Sequence, residues 1–286
     1  MSQPHRIAIV TDSTSDLPSN IRERLDIRSV PLNVHFGAAT FQDRIDISNE
    51  EFLRRLTSEP VLPTTSQPST GIFEMLFREL ADSYDAIVCV LMSSKLSGTM
   101  QSAHLAAAAV AEVIKVEVVD SLNSSLALGL MAVRARELSS SGEDAASIAQ
   151  TLRAETNSYH LVFFAETLEY LHRGGRIGKA ATLLGSMLQL KPLIRVEEGV
   201  VIPFERTRTR KKALLGLEAF VSAFASIDTL AVLHIDTPDD AATLLAKIAP
   251  KASRIDIPIG VFGPVVATHV GPGAVGIVVR ELGTSS

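Results

Sequence analysis

The sequence predicts an α/β protein of two domains, mainly parallel α/β in its N-terminal part and α+β in its C-terminal part. Three observations predict it. Through residue 157 short β-branched runs alternate with amphipathic stretches, the βαβα rhythm of a parallel sheet covered by helices on both faces. From residue 158 the texture turns to hairpin signals and Gly/Pro punctuation. A chain of 286 residues also exceeds what one simple core holds. The domains are therefore placed at 1–157 and 158–286, with the helical segment near 48–84 able to pack with either.

In chain order, "RIAIVTDS" reads as a buried strand and "SDLPSNIRERLD" as a helix with Pro18 in its first turn. "RSVPLNVHF" reads as a second strand. "SNEEFLRRLTSE" opens with a capping box, Ser48 at the N-cap and Glu51 three residues later. The connector Val61–Ser69, "VLPTTSQPS", then joins two helices with four hydroxyl side chains, two prolines and no charge. "TGIFEMLFRELADSY" is apolar at helical spacing through Ile72, Met75, Leu76 and Leu80. "DAIVCVLM" is a strand, "TMQSAHLAAAAVAEVI" a helix, "KVEVVDS" a strand, and helices follow over roughly 125–139 and 143–157.

In the second part "YHLVFFA" is a strand, followed by "TLEYLHRGGRIG" and "KAATLLGSMLQL". "KPLIRVEEGVVIPFERT" is a strand pair turning at Glu198-Gly199. "TPDDAATLLAKIA" starts a helix with Thr237 as N-cap, Pro238 at the first position and two aspartates in the first turn. The last stretch, "IDIPIGVFGPVVATHVGPGAVGIVVREL", reads as strand-like segments.

Composition excludes several classes. Apolar residues make up 46% of the chain, yet no apolar run reaches the roughly 18 residues that span a bilayer, and the N-terminus lacks a signal-peptide layout. A cytoplasmic protein without stable membrane insertion is expected. A net charge of -5 and 5% aromatic residues argue against nucleic-acid binding. The single Cys89 sits in an apolar run as a packed thiol. No phosphate loop, Rossmann fingerprint or GxSxG elbow occurs, and the seven histidines are too scattered to suggest a metal site.

Chemistry concentrates in a few loops. "DSTSD", Asp12–Asp16, follows the first strand and suits either a metal or phosphate or the capping of the next helix. "MSSKLSGTMQS" leaves a strand for a helix and carries Ser93, Ser94, Ser97 and Thr99, more hydroxyls than capping requires, with Gly98 allowing close backbone approach. "LHRGGRIGK" offers Arg173, Arg176 and Lys179 either to an anion or to a charged surface turn. "ATHVGPG" places His269 in an otherwise apolar segment, where its ring needs a partner. In "ERTRTRKKA", Arg206, Arg208 and Arg210 share one face if the chain is extended; the ridge fits an acidic partner or a phosphorylated group, or it is a solvated face.

Seven blocks in order, "IVTDSTSDLP", "TTSQPS", "LSGTMQSA", "YLHRGGRIG", "KPLIRVEEGVV", "RTRTRKKA" and "THVGPG", resemble the DegV family of bacterial fatty-acid-binding proteins over essentially the whole chain. The resemblance implies a ligand cleft between the two domains, with a palmitate-like long-chain fatty acid buried there. Its carboxylate would be bonded by Thr65 and Ser97, with His269 near the head group and Ser66, Ser94, Gly98 and Thr99 in the same loops. It also implies that Arg206, Arg208 and Arg210 dock a separate fatty acid kinase with a DhaL-like domain, which turns the bound acid into an acyl phosphate for phospholipid synthesis. On this reading the chain is a lipid-binding carrier with no catalytic residue, no metal and no cofactor beyond the bound acid. The rival reading is an enzyme acting on a small anionic or phosphorylated substrate through "DSTSD" and "RGGRIG".

Overall fold

The computed structural model of the chain describes residues 6–184 and 190–282. β1 (Ile7–Asp12) is buried along its whole length and leads through a 3₁₀ turn (Ser13–Ser15) and α1 (Ser19–Arg24) to β2 (Ile27–Val30). Pro31 ends β2, because it has no N–H to extend the ladder. The chain then enters β3 (Asn33–Phe36) and β4 (Ala39–Gln42). The run read as one strand is thus two, which lie in different sheets. In α2 (Asn49–Ser58), Ser48 Oγ accepts from Glu51 N at 3.1 Å, while the Glu51 carboxylate turns to Arg54 and Arg55, so half of the capping box forms.

The hydroxyl-rich connector is not a plain loop. It contains β5 (Thr64–Ser66), whose Thr64, Thr65 and Ser66 pair antiparallel with His35, Val34 and Asn33. β4, β3 and β5 form a small sheet in that order. α3 (Thr70–Ala81), β6 (Ala86–Leu91), α4 (Thr99–Ala109) and β7 (Lys115–Asp120) follow, and a four-stranded parallel sheet forms in the order β2-β1-β6-β7. α5 (Ser125–Ser140) and α6 (Ala145–Glu155) complete this half.

The second half carries β8 (Tyr159–Phe164), α7 (Glu169–Arg173), β9 (Leu193–Glu197), β10 (Val200–Glu205), α8 (Arg210–Ser222) and β11 (Ile227–His234). α9 (Pro238–Ile248), β12 (Ala252–Arg254), β13 (Ile259–Val261), α10 (Pro264–Val270) and β14 (Val275–Glu281) follow. A seven-stranded sheet runs β10-β9-β8-β14-β11-β12, with β13 also pairing β11. It is antiparallel except where β12 and β13 run parallel to β11, which agrees with the α+β expectation. The β9–β10 hairpin turns at Glu198-Gly199 as expected, both at positive φ. Of the segment 179–190, the first residues belong to a 3₁₀ stretch (Gly178–Leu183), and 185–189 lie outside the described residues.

The final stretch departs from its strand-like reading. Gly263 and Pro264 open a helix, α10, and Gly271 closes it, so the punctuation that looked like strand breaks caps two helical turns. α8 and β11 also had no counterpart in the sequence reading.

Packing follows from these elements. α5 is buried along most of its length, lying on β1 and β6 on one side and on β8 and β14 on the other. One apolar cluster therefore runs from Ile9 and Val88 through Leu128 and Met131 to Leu161 and Val278. α2 packs against α10, whereas α3 packs against α4 and β6, so the segment near 48–84 divides its contacts. Among the described residues no helix is long and apolar enough to cross a membrane.

Candidate functional site

A cavity of about 300 Å³ lies where loops at the carboxyl ends of β1 and β6 meet the inner face of β8–β10, with α10 alongside. Strand alternation decides which residues reach it. Leu161 and Phe163 of β8 line the cavity, while Val162 and Phe164 point the other way into the core under α8. Phe163 meets Phe262 edge to face at 6.2 Å between ring centres. Val265, Val266 and Val270 of α10 extend the apolar wall.

The polar lining is narrower. Thr65 of β5 and His269 of α10 are joined by a hydrogen bond of 2.9 Å between Oγ1 and Nε2, across 204 residues of sequence. Ser66 also lines the cavity, with its hydroxyl bonded to Asn33 and His35. Burial, aided by the positive charge of Arg176, pushes His269 down to about 4, so its ring is neutral at physiological pH. A histidine held low in the folded state contributes stability that is whole above about pH 6.5 and is lost as the pH falls towards 4. Among the described residues its Nδ1 has no hydrogen-bond partner, and it rests against Gly174, where a Cβ would stand 2.2 Å from that nitrogen. Only glycine fits beneath the ring.

Ser97 also lines the cavity, and its Oγ lies 2.9 Å from Thr99 Oγ1 and accepts from Thr99 N at 3.3 Å. Gly98 fits tightly under the neighbouring loop: a Cβ there would stand 2.1 Å from Gln67 Oε1. Gln67 donates to Ser102 Oγ at 3.1 Å, which ties the β5 loop to α4. Arg176 reaches the cavity with its guanidinium fixed by two carbonyls, Leu96 O at 3.1 Å from Nε and Gly174 O at 2.8 Å from Nη1.

The remaining sequence candidates lie elsewhere. Ser94 is exposed, its backbone N–H directed at the Asp120 carboxylate. Arg173 is exposed and pairs with Glu169 at 2.7 Å. Arg206 and Arg208 are exposed, but Thr209 caps α8 and starts a helix at Arg210. Arg210 consequently turns inward to Glu166 and Asp240, both at 2.6 Å, so the three arginines do not form one extended face. In "DSTSD", Asp12 accepts from Thr14 N and Met92 N, and burial pushes its carboxyl up to about 6. Asp16 accepts from Ser125 Oγ, Gly263 N and Arg44. Both carboxylates are engaged within the protein rather than offered to a ligand. Gln67 and the apolar walls of β8 and α10 were not singled out from sequence; alternation marks a buried face but not which cavity it borders.

Residues 6–282 match the family described as "Uncharacterised protein, DegV family". Protein DegV of Bacillus subtilis is 36% identical over 278 residues, covering 95% of this chain and 98% of that protein. Its crystal structure, described as that of a fatty acid binding protein, superposes with a TM-score of 0.88 at 35% identity over 97% of this chain and 100% of that one. A DegV family protein from Thermus thermophilus, whose structure is described by its fatty acid binding, gives 0.88 at 36% identity over 97% of this chain and 100% of its own. A stearic acid-binding protein from Eubacterium ventriosum gives 0.87 at 26% identity, covering 97% and 98%.

Proposed function

The chain belongs to the DegV family, and from that premise we propose that it binds a long-chain fatty acid in this cavity and presents the carboxylate to a separate fatty acid kinase. The observation that carries the reading is a mainly apolar cavity in whose polar lining Thr65 and His269 are bonded to each other and Ser97 also lies. Burying ~14 methylenes at ~0.8 kcal/mol each supplies an upper bound of roughly 11 kcal/mol, against ~1 kcal/mol for each hydrogen bond. The tail thus sets affinity, and Thr65, Ser97 and His269 set where the carboxylate stands. Gly98, Thr99, Ser66 and Ser94 shape the loops that carry these residues. Residues 1–157 and 158–286 are the two domains that clasp the acid. The protein acts as a cytoplasmic carrier, and the kinase performs the chemistry.

Lipid extracted from purified protein is expected to contain acids of ~14–18 carbons, the range to which burial of ~14 methylenes corresponds. Lipid-free protein that takes up no added palmitate would overturn the reading. For docking we assign Arg206 and Arg208, which face outward at the end of β10, while Arg210 braces α8 through Glu166 and Asp240. Arg206→Glu is expected to slow phosphorylation of the bound acid without changing palmitate affinity. An unchanged transfer rate would remove the basic ridge from the kinase interface.

A further inference from the structure

We propose that the protein carries a second ligand site, a polar cavity beside the Ser13–Ser15 turn that takes the phosphoryl group of a small polyol phosphate. It shares no lining residue with the cavity proposed for the fatty acid, so it stands or falls independently of that reading.

The turn divides the two cavities. Thr14 lines the first, while Ser13 and Ser15 line the second, a space of about 280 Å³ between α1, β2 and the segment that enters α2. Asp12 and Asp16 on either side of the turn are engaged within the fold, but Ser15 is not. Ser15 is 2% exposed, and its hydroxyl has no hydrogen-bond partner among the described residues. That oxygen is not sealed in, unlike both carboxylate oxygens of Asp43, so it opens onto the cavity. Ser29 of β2 adds a second unbonded hydroxyl to the same lining. A buried hydroxyl left without a partner calls for one, and here the open space can hold it.

The remaining donors favour an anion with several acceptor oxygens. Arg22, half-buried in the last turn of α1, lines the cavity and has no carboxylate partner among the described residues, in contrast to Arg28 with Glu79 and Arg44 with Asp16. Ser48 and Asn49 bring the N-terminus of α2 to the same wall. Ser48 Oγ takes the Glu51 N–H, which leaves the first-turn N–H groups of Asn49 and Glu50 open at the positive end of the helix. A guanidinium, a helix N-terminus and free hydroxyls together match a phosphoryl group, whose three oxygens accept from several sides at once. The acidic neighbours do not oppose it. Asp16 is paired with Arg44, and burial pushes the Asp43 carboxyl up to about 7 with its oxygens turned from the open space. No aromatic side chain lines the cavity, so the organic part of the ligand is a short hydroxylated chain and not a stacked base.

Ribose 5-phosphate titrated calorimetrically into the purified protein is expected to bind one site with a Kd of about 1 mM or tighter, and inorganic phosphate should compete for it. Arg22→Gln is expected to weaken the ester about tenfold, and Ser15→Ala about fivefold. Arg24→Gln removes the same charge from an exposed position on α1 outside the cavity, and should change affinity by less than about twofold. Arg22 lies on a partly exposed helix face, so its variant keeps the test decisive if Ser15→Ala fails to fold. Equal losses in Arg22→Gln and Arg24→Gln would reduce the effect to overall charge and overturn the proposal. So would competition by acetate as strong as that by phosphate, or the absence of saturable binding by the ester. Sedimentation with phosphatidylglycerol vesicles that Arg22→Gln abolishes, in place of binding the soluble ester, would give the cavity to a lipid head group and overturn it as well.

Discussion

Val266→Trp is expected to empty the protein of lipid while leaving it folded. Val266 is the third residue of α10, half-buried, and lines the cavity with Val265 and Val270. An indole there enters existing space of about 300 Å³ and not a close-packed core, so the usual overpacking penalty is largely avoided. The ligand loses that space. Excluding about half of a 16-carbon chain removes ~7 methylenes, or ~5–6 kcal/mol, which weakens binding by about 10⁴-fold. Palmitate titration of delipidated protein reads the effect, and thermal unfolding confirms the fold. Retention of wild-type affinity would mean that the tail lies elsewhere.

Asp16→Ala is expected to cost about 3 kcal/mol of stability, the lower part of the range for removing one partner of a buried ion pair. Asp16 is almost wholly buried and accepts from Ser125 Oγ at 2.5 Å, Gly263 N at 2.9 Å and Arg44 Nη2 at 2.8 Å. Those donors belong to the start of α5, the approach to α10 and the segment after β4. Removing the acceptor strands two buried donors; Arg44 is partly exposed and can turn to water, which sets the low end. The thermal midpoint should fall by roughly 5 °C. Because Gly263 leads directly into α10, palmitate affinity should fall as well. A midpoint within about 2 °C of wild type would show that the node bears little of the fold.

Local signals in the sequence located most elements. Ser48 before α2, the Glu198-Gly199 turn and the apolar spacing of α3 each depend on neighbours a few residues away, which is the range at which periodicity and capping act. β5 was hidden because three hydroxyl residues become a strand only when β3 supplies their ladder. α10 was hidden because Gly and Pro mark helix ends as readily as strand breaks. In the site, Thr65, Ser97 and His269 were named through the family resemblance, and the structure brings all three to one cavity. The Thr65–His269 bond itself joins segments 204 residues apart, beyond any local pattern. The extended face of Arg206, Arg208 and Arg210 does not form for a local reason: the Thr209 cap replaces a two-residue repeat with a helix at Arg210.

α5, with a sheet on either side, constrains how cargo can come and go. Levering the sheets apart would strip solvent-shielding from Leu128, Met131 and their neighbours on both flanks at once, a penalty of many kcal/mol. On the carrier function proposed above, this favours loading and release by small displacements at the cavity rim, with the central body remaining shut.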